Sequence, residues 1–384
     1  MSQVIKHRLG ELLTRMDRFE HKDNAAEYQF SGTYSYGRGI FIGDRKIGGS
    51  FGLSKIQRIR ANDFVYCKIM AWEGAFGIVP QESDNCVLSG AFVAYQVDDS
   101  RLLPQYLGYM FKTHSIWKRI GDQSTGTNVR RKSLHPDHLE SAFIELPNLA
   151  EQQAIVARLD LLTEQTRQLE ANLDAIERDA QNLLRAYIFH PPGKKPLKRP
   201  MAELVTMRQP DVRVDRLAQY QFAGVYSFGR GVFASVNKAG SEFAYERLST
   251  VCAGDFTYPK LMAWEGALGV VPPECDGMVV SPEFPVFTIN TEAILPEVMD
   301  IYFRTPEVWP ELAEISGGTN MRRRRLQPSA FLSYEMPVPS MSSQLKLREL
   351  FLQTKELKTK HTAIRAANAA LLPATLERVF QQAH

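Results

Sequence analysis

Two long stretches of the chain contain neither Gly nor Pro and repeat apolar residues at helical spacing, one at 148–190 and one at 340–372. In the first stretch the apolar positions follow one another at steps of four and three, which is the a/d pattern of a coiled coil. In the second, an apolar position recurs every seven residues and alternates with polar seam residues, which fix register and partner choice. The predicted apolar seam consists of Ile155, Leu159, Leu162, Leu169, Leu173, Ile176 and Leu183 in the first helix and Leu350, Leu357, Ile364 and Leu371 in the second.

A seam of this length needs a partner, because a single helix cannot bury its own apolar stripe. Each stretch follows a globular portion of the chain, so we expect the two helices to pair with each other, antiparallel. Pro373 is expected to end or kink the second helix. Between the two halves, residues 191–196 read PPGKKP, which is the composition of a linker.

The chain is one unit duplicated. YQFSGTYSYGRGIF begins at Tyr28 and YQFAGVYSFGRGVF at Tyr220, with ten of fourteen positions identical at an offset of 220 − 28 = 192. The same offset relates YCKIMAWEGAFGIVP to YPKLMAWEGALGVVP, and GTNVRR to GTNMRR. Because the chain has 384 residues, twice this offset, the duplication carries almost no net insertion. An internal repeat of this kind indicates that the fold consists of two copies of one structural unit.

Each copy predicts the same order of elements. A short apolar entry leads into a segment rich in Gly, aromatic and β-branched residues, which indicates strands. A helix with Pro in its first turn follows, near 104–120 and 296–315, then a basic loop and a Pro-containing strand-like run. The sequence thus predicts an α+β fold of two similar mixed α/β domains joined by a pair of long antiparallel coiled-coil helices, related by a pseudo-twofold axis. The expected boundaries are 1–147 and 191–339 for the domains and 148–190 and 340–384 for the helices.

Composition changes this picture little. The net charge is only +3, so a nucleic-acid role has to be argued from local clusters of charge. Four Cys without a CxxC pair favour a reduced, intracellular protein. The first residues lack an apolar signal core, and no run of about eighteen apolar residues occurs. These features predict a cytoplasmic location.

The repeat also restricts the chemistry. All four Trp are paired at the offset, Trp72 with Trp264 and Trp117 with Trp309, whereas no Cys and no His is paired. A metal or nucleophile site shared by both copies therefore cannot depend on Cys or His. Phosphate-loop, dinucleotide and S-adenosylmethionine motifs are missing from the sequence, and so is the Asn/Asp-Pro-Pro-Tyr/Phe tetrapeptide of amino-methyltransferases.

Several acidic residues occur at equivalent positions of both copies. Among them, Glu73 and Asp63 could form an acid–base pair in the first copy, with Glu265 at the position equivalent to Glu73 in the second. We interpret these carboxylates instead as caps, turn residues and buried hydrogen-bond partners, because general acid–base catalysis usually recruits a His or a third paired group. Two alternatives stay open at this stage: a duplicated enzyme that acts on a polyanion through Glu73 and Glu265, and a coiled-coil scaffold that binds protein.

Basic clusters are more informative. Each copy carries three or four consecutive cations after a flexible Gly-Thr-Asn, and such runs repel one another unless a polyanion neutralises them. A solvated loop, or pairing with acidic residues of the long helix, would also explain one such run. Because the run occurs in both copies, beside a loop rich in Tyr, Gly and Arg, we favour nucleic acid.

The Tyr-Ser-Tyr/Phe-Gly-Arg segment offers aromatic faces, hydroxyls and an Arg, and Arg is the usual bidentate reader of guanine. The tyrosines fit equally well on one face of a strand. Trp72 and Trp264 are interpreted as packing residues. The residues predicted to contact DNA are Tyr34, Ser35, Tyr36, Arg38, Lys68, Asn128, Arg130, Arg131 and Lys132 in the first copy and Tyr226, Ser227, Arg230, Lys260, Asn320, Arg322, Arg323, Arg324 and Arg325 in the second.

Two globular units, each followed by a long helix that can pair with the other, form a plan that resembles the DNA-specificity subunit of type I restriction–modification systems. The resemblance covers the whole chain. The residues that carry the resemblance are LGEL at 9–12 and IELPNLAEQQAIV at 144–156. In the second segment a Pro-containing strand leads into a helix that opens with Glu-Gln. The second copy keeps a weaker form, MPVPSMSSQ at 336–344, with Ser343 in place of Glu151.

The resemblance implies that the two globular units are target-recognition domains, each reading half of a split target in double-stranded DNA. It implies that the paired helices act as a spacer and as the docking platform for two modification subunits, which bind S-adenosylmethionine and methylate adenine. Restriction subunits can join such a complex. This chain would then be a non-catalytic reader and scaffold without a cofactor or metal of its own.

Similarity of the two copies suggests a further property of the target. Similar readers related by a twofold axis read similar half-sites in inverted orientation, as symmetric DNA-binding dimers do. We therefore expect an interrupted, nearly palindromic target. The copies diverge most at 43–62 against 235–254 and at 81–103 against 273–295.

Overall fold

The structure is a computed structural model and describes residues 5–126, 132–193, 195–318 and 324–381. The chain divides into two compact units. The first comprises Met1–Ala171 with Thr362–His384, and the second comprises Asn172–His361. Each long helix therefore contributes residues to both units.

The first unit is built on three small sheets. Its strands, within the described residues, are β1 (Ile5–Arg8), β2 (Leu13–Arg15), β3 (Phe19–His21), β4 (Glu27–Thr33), β5 (Ile40–Ile47), β6 (Lys55–Arg58), β7 (Phe64–Cys67), β8 (Phe76–Ile78), β9 (Val87–Leu88), β10 (Phe92–Val97) and β11 (Phe143–Leu146). The sheets have the orders β1-β11, β2-β10-β7-β8 and β3-β6-β9-β4-β5, and the pairing is antiparallel except between β9 and β4.

The second unit repeats this topology strand for strand. Its described strands are β12 (Leu197–Pro200), β13 (Val205–Met207), β14 (Val212–Arg213), β15 (Gln219–Tyr226), β16 (Gly231–Ala239), β17 (Arg247–Thr250), β18 (Phe256–Thr257), β19 (Gly269–Val270), β20 (Val279–Val280), β21 (Val286–Ile289) and β22 (Glu335–Val338). Their orders are β12-β22, β13-β21-β18-β19 and β14-β17-β20-β15-β16, again with a single parallel pair, β15 with β20. The predicted duplication is thus a duplication of fold.

The short helices depart from the sequence prediction. Each single helix expected near 104–120 and 296–315 is divided, because Thr113 and Thr305 have extended backbone conformations. Pro306 follows directly in the second copy and supplies no N–H for a continuous helix. A third helix in each unit, which starts at a Pro, was not predicted. The short helices are α1 (Pro104–Lys112), α2 (His114–Gly121) and α3 (Pro136–Ser141) in the first unit and α5 (Pro296–Phe303), α6 (Trp309–Glu314) and α7 (Pro328–Ser333) in the second.

The two long helices are α4 (Leu149–Phe189) and α8 (Met341–Gln381). Helix α8 continues through Pro373, which corrects the expectation that Pro373 ends it. The turns beyond Pro373 place Leu376 and Phe380 in the core of the first unit, where they are 3% and 1% exposed. Burial of two large apolar side chains is worth roughly 3–6 kcal/mol and offsets the cost of about 3 kcal/mol for a helical Pro. None of the helices in the described part of the chain has the length and apolar character of a membrane span.

The long helices pair antiparallel within each unit, as predicted. In the first unit, Asn368 donates to the carbonyl of Thr166 at 3.1 Å and Arg365 forms an ion pair with Glu170. In the second unit, His361 Nδ1 lies 2.9 Å from a carboxylate oxygen of Glu177. Residue numbers on α8 fall as those on α4 rise, which is the antiparallel sense. The polar seam residues expected to fix register are Thr354, His361 and Asn368. His361 and Asn368 meet partners across the helix pair, whereas Thr354 Oγ1 donates to the carbonyl of Leu350 in its own helix.

The heptad assignment itself needs correction. Among the predicted seam residues only Leu159 and Leu173 are buried. An undistorted α-helix drifts by about 20° per heptad from a 3.5-residue repeat, so one frame cannot stay on the buried stripe of helices this long. Buried instead are Leu184, Ile188 and Leu347 in the second unit. Predicted seam residues that are half-buried are Ile155, Leu162, Leu350 and Leu357, and those that are exposed are Leu169, Ile176, Leu183, Ile364 and Leu371.

An aromatic cluster fills the main core of each unit. In the first unit, Phe64 and Tyr66 stack with Phe76 of β8 at 6.2 and 5.7 Å between ring centroids. In the second, Leu268 stands where Phe76 would be, and Phe331 of α7 packs on the equivalent ring pair at 5.5 and 5.0 Å. The residue matching Phe331 in the first unit is Leu139. The cores therefore exchange a Phe and a Leu between two elements, a change that nearly preserves volume.

A buried amide joins each long helix to its unit. Gln152 is 0% exposed, and its Oε1 accepts from the N–H of Leu103 at 2.9 Å. Its Nε2 donates to the carbonyls of Arg101 and Pro147, both at 3.0 Å. Gln344 repeats this arrangement, accepting from the N–H of Leu295 at 2.9 Å and donating to the carbonyls of Ala293 and Pro339 at 3.1 and 3.0 Å. The Gln of the Glu-Gln junction therefore makes these buried contacts, and Ser343 in place of Glu151 leaves them intact.

We predict that Gln152→Leu lowers the free energy of unfolding by about 3 kcal/mol, because it leaves a buried N–H and two carbonyls without partners. Gln153→Leu is the matched control: Gln153 is exposed, and a change within about 0.5 kcal/mol is expected. Urea unfolding followed by circular dichroism measures both. Equal midpoints for the two variants would contradict the role assigned to the amide.

Candidate nucleic-acid interface

The predicted Tyr-Ser-Tyr-Gly-Arg segment forms the tip of the β4–β5 hairpin. Tyr36 and Gly37 both have left-handed backbones, with φ of 64° and 65°. The second unit reproduces them at Phe228 and Gly229, with φ of 62° and 66°. A left-handed conformation costs a non-Gly residue about 1–2 kcal/mol. The conformation persists because the tip is anchored, and it turns Tyr36 and Phe228 outward, where each is 64% exposed.

The anchor is the Glu-Gly pair of the MAWEG segment that both copies share. Tyr36 N–H donates to the carbonyl of Glu73 at 2.6 Å, and Gly37 N–H to that of Gly74 at 2.9 Å. The second unit has the same two bonds, to Glu265 at 2.8 Å and to Gly266 at 3.0 Å. Two backbone bonds in each unit thus hold the hairpin tip against the turn that follows β7 or β18.

Gly74 is the point where this turn meets helix α2. Its φ is 80°, and a Cβ there would lie 2.6 Å from the indole ring of Trp117. The second unit matches it with Gly266, φ 77°, where a Cβ would lie 2.3 Å from Trp309. The pairing of Trp117 with Trp309 in the repeat is thereby explained, since each indole fills the space that the glycine leaves.

Arg38 stacks on an aromatic column. Its guanidinium carbon lies 4.9 Å from the ring centroid of Tyr34, whose ring lies 4.6 Å from that of Phe41. Phe41 in turn covers Gly32, where a Cβ would lie 2.6 Å from the ring. Nε of Arg38 donates to the carbonyl of Ser35 at 3.1 Å. The guanidinium is therefore held on one side by the tyrosine ring and at Nε by the serine carbonyl.

The second unit carries the same column. Arg230 lies 4.5 Å from the ring centroid of Tyr226, which stacks on Phe233 at 3.7 Å. Phe233 covers Gly224, where a Cβ would lie 2.7 Å from the ring, and Nε of Arg230 donates to the carbonyl of Ser227 at 3.3 Å. The tyrosines thus support the arginine, a role that the sequence left open between ligand contact and strand face.

The turn that anchors the hairpin also carries the base of the basic loop. The N–H of Leu134 donates to the carbonyl of Lys68 at 2.9 Å, and Nζ of Lys132 lies 5.8 Å from the Trp72 ring. In the second unit, the N–H of Leu326 donates to the carbonyl of Lys260 at 2.8 Å. Each unit therefore brings together three segments distant in sequence: the hairpin tip, the turn and the basic loop.

Backbone bridges close each basic loop at its base, Thr125 with Ser133 and Gly317 with Arg325. Arg325 is already paired with Glu283 at 2.7 Å, so its charge is partly neutralised within the unit. Several predicted DNA contacts in the loops lie outside the described residues, and for them the sequence prediction stands alone. These are Asn128, Arg130, Arg131, Asn320, Arg322 and Arg323.

The paired carboxylates have structural partners. Asp63 accepts from the N–H of Arg60 at 2.8 Å and pairs with Arg18. Ser35 Oγ donates to Glu73 at 3.1 Å, which links that carboxylate to the hairpin tip. Among the described residues, no three His, Cys, Asp or Glu side chains are grouped to hold a metal. These contacts favour the interpretation of the acids as turn and anchoring residues.

The units differ beneath the hairpin tip. In the second unit, Asp300 of α5 pairs with Arg304 at 2.9 Å, and the Arg304 guanidinium lies against Gly231 of the hairpin. Burial raises the pKa of Asp300, and Arg304 acts in the opposite direction. At the equivalent places the first unit has Gly108 and Lys112. The support of the tip therefore differs between units while its exposed surface is kept.

The residues predicted to contact DNA omit some contributors to this surface. Phe228 belongs to the segment noted for its aromatic faces but was not among the predicted contacts, and it is as exposed as Tyr36, with which it aligns in the repeat. Ile69, 52% exposed on the anchoring turn, had no signal beyond its place beside Lys68. Phe41 and Phe233 could be recognised only from the structure, because their role depends on the glycine across the strand pair.

Comparison with solved structures identifies the fold. The chain is similar to the HsdS subunit from Thermoanaerobacter tengcongensis, with 17% identity, a TM-score of 0.58, and 99% of this chain and 97% of that chain covered. It is also similar to a chain from a structure of complex assembly and conformational transition of a type I R-M system, with 16% identity, a TM-score of 0.59, and coverage of 99% and 96%. No protein-family model and no curated protein matches the sequence.

These likenesses confirm the predicted fold: two mixed α/β units with long paired helices, as in the HsdS specificity subunits of type I restriction–modification systems. The match extends over nearly the whole of each chain, so it concerns the complete arrangement of elements and not a single shared motif.

We predict that Gly74→Ala destabilises the protein by about 3 kcal/mol, because it adds a clash with Trp117 to the cost of a left-handed backbone. Gly39→Ala is the control: φ is 84° there too, but nothing lies within 4 Å of an added Cβ. About 1 kcal/mol is expected for the control. Thermal unfolding of both variants provides the measurement, and a control variant as damaging as Gly74→Ala would show that the Trp117 contact is unimportant.

Proposed function

We propose that this chain is the DNA-reading specificity subunit of a type I restriction–modification system. It recognises a bipartite target in double-stranded DNA and positions adenine methyltransferase subunits, and in some assemblies restriction subunits, on that target. The observation that carries the proposal is the duplicated surface made by the hairpin tip, the anchoring turn and the basic loop, on a fold shared with HsdS subunits.

In this proposal the segments 1–147 and 191–339 are the recognition domains, and 148–190 and 340–384 form the helical platform. The platform has apolar residues to offer a partner: Leu161 is 59% exposed on α4 in the first unit, and Leu352 is 55% exposed on α8 in the second. Exposed apolar side chains along a helix are typical of protein-binding surfaces. Two modification subunits are the expected occupants.

Catalysis is assigned to these partners. The methyl donor S-adenosylmethionine would be bound by the modification subunits, and this chain would contribute recognition alone, within the cytoplasm where the DNA lies. The carboxylates Glu73 and Asp63 support this division of labour, because their contacts go to the hairpin tip and to a neighbouring turn.

The target is proposed to be interrupted and nearly palindromic. Support comes from the identical strand order of the two units and from their matching hairpin tips. Differences between half-sites would come from the divergent segments 43–62 and 81–103 and their counterparts.

Methylation in cells should reveal the form of the target. Mapping of methylated adenines in cells that express this chain with its modification subunits should give a split sequence whose halves are similar when read in inverted orientation. Two unrelated half-sites would contradict the near-palindrome while leaving the DNA-reading role in place. Random methylation, or none that depends on this chain, would contradict the role itself.

Salt dependence of binding should report the phosphate contacts of the basic loops. If Lys132 and Arg324 contact phosphates, replacing both with Gln should reduce the slope of log affinity against log salt by about 2, near 0.9 for each phosphate that is no longer neutralised. The affinity should fall equally for specific and nonspecific duplexes.

Arg167→Gln is the control, because it removes a cation that is already paired with Glu164 on the surface of α4. The slope should not change in that variant. Fluorescence anisotropy with labelled duplexes, titrated from about 50 to about 300 mM salt, measures the wild type and both variants. An unchanged slope in the double variant would exclude phosphate contacts at the loop bases.

A further inference from the structure

We propose that Arg38 and Arg230 are matched guanine readers, each donating to O6 and N7 of one guanine at equivalent positions of the two half-sites. This inference rests on the proposed DNA-reading function and assigns to one side chain in each unit a base and a groove. The edge of guanine that presents O6 and N7 lies in the major groove.

Both arginines are preorganised. Each guanidinium is held by the face of a tyrosine, at 4.9 and 4.5 Å, and by one hydrogen bond from Nε to a serine carbonyl. A free Arg side chain loses considerable rotamer freedom on binding, and a side chain held beforehand loses less. Since Nε is engaged within the hairpin, the two Nη groups form the outward fork, and the described residues supply no partner for them in either unit.

Neighbouring arginines of the first unit behave differently from Arg38. In the five-stranded sheet of the first unit and its connections, Arg18, Arg45, Arg58 and Arg60 each form an ion pair with a carboxylate of the same sheet region. Among the described residues Arg38 has no such carboxylate, although it is exposed at the tip. A guanidinium that is stacked but not neutralised is suited to an external acceptor.

The surroundings of the fork favour a base over a phosphate. The exposed side chain two positions before each arginine is aromatic: Tyr36 in the first unit and Phe228 in the second, both 64% exposed. Phe228 cannot hydrogen-bond to phosphate, whereas apolar contact with base edges and the thymine methyl is favourable in the major groove. Phosphate contacts are supplied instead by the basic loop at the other end of the anchoring turn.

The two units hold their forks in the same way. The column of Gly, Phe, Tyr and Arg, the left-handed tip and the two anchoring bonds occur in both, although the support beneath the tip differs between Arg304 and Lys112. Two forks held alike should present the same donor pattern. The structure therefore assigns guanine to equivalent positions in both half-sites.

The experiment is selection of bound duplexes from a randomised library by the complex of this chain with its modification subunits, for wild type, Arg38→Gln and Arg230→Gln. Arg38→Gln should reduce discrimination for guanine at one position of one half-site by roughly tenfold or more, and leave the other half-site unchanged. Arg230→Gln should do the same at the equivalent position of the other half-site.

Two controls separate the fork from its charge. Lys118→Gln removes an exposed, paired cation of the same unit that lies outside the hairpin and the divergent segments, so it should leave both half-sites unchanged. Arg38→Lys keeps the charge and can still donate to guanine but loses the planar fork that Tyr34 holds, so its guanine preference should fall between those of the wild type and Arg38→Gln.

Three results would overturn the inference. Uniform weakening on all sequences by Arg38→Gln, with a salt slope lower by about 1, would make the arginine a phosphate contact. Full guanine preference in Arg38→Lys would show that the planar fork held by Tyr34 is not what reads the guanine. Loss of preference at unrelated positions in the two arginine variants would exclude matched readers. Absence of any sequence preference in the wild type would instead contradict the proposed function, and this inference with it.

Discussion

A buried primary amide connects each long helix to the rest of its unit, and the placement of the first helical turn depends on this connection. Gln152 and Gln344 lie in the first turn of their helices and bond both to the strand end before the helix and to the loop that leads into α1 or α5. A primary amide can satisfy one N–H and two carbonyls at once, and leaving those groups buried and unpaired would be costly. These three bonds hold the first turn of each helix against the strand end and the loop of its unit.

The two units show how much a duplicated fold can vary around such constraints. Asp63 and Asp255 cap equivalent turns, yet their arginine partners, Arg18 and Arg208, are not equivalent in the repeat. In the core, an aromatic ring moves from β8 in the first unit to α7 in the second. In both units the buried aspartate has an arginine partner and the core has nearly the same total volume. The positions of the individual side chains that achieve this differ.

The surface around the hairpin tip differs less between the units than the core does, because its geometry leaves fewer solutions. A left-handed aromatic residue at the tip is tolerated only while two backbone bonds and a glycine packed on an indole hold it. The same restraint makes the stacked arginine a rigid donor. Rigid contact residues supported by a layer of packed side chains behind them are what specific recognition requires.

The sequence by itself determined the duplication, the fold class and the antiparallel helix pair. A repeat at a constant offset and a long helix without Gly or Pro can both be recognised directly from the order of the residues. It also selected the hairpin and the basic loops as candidates. Only the tertiary structure decided which helix residues are buried, that α8 continues through Pro373, and that Tyr34 supports Arg38. Those outcomes depend on burial at Phe380 and on contacts between distant strands, and no single stretch of sequence contains them.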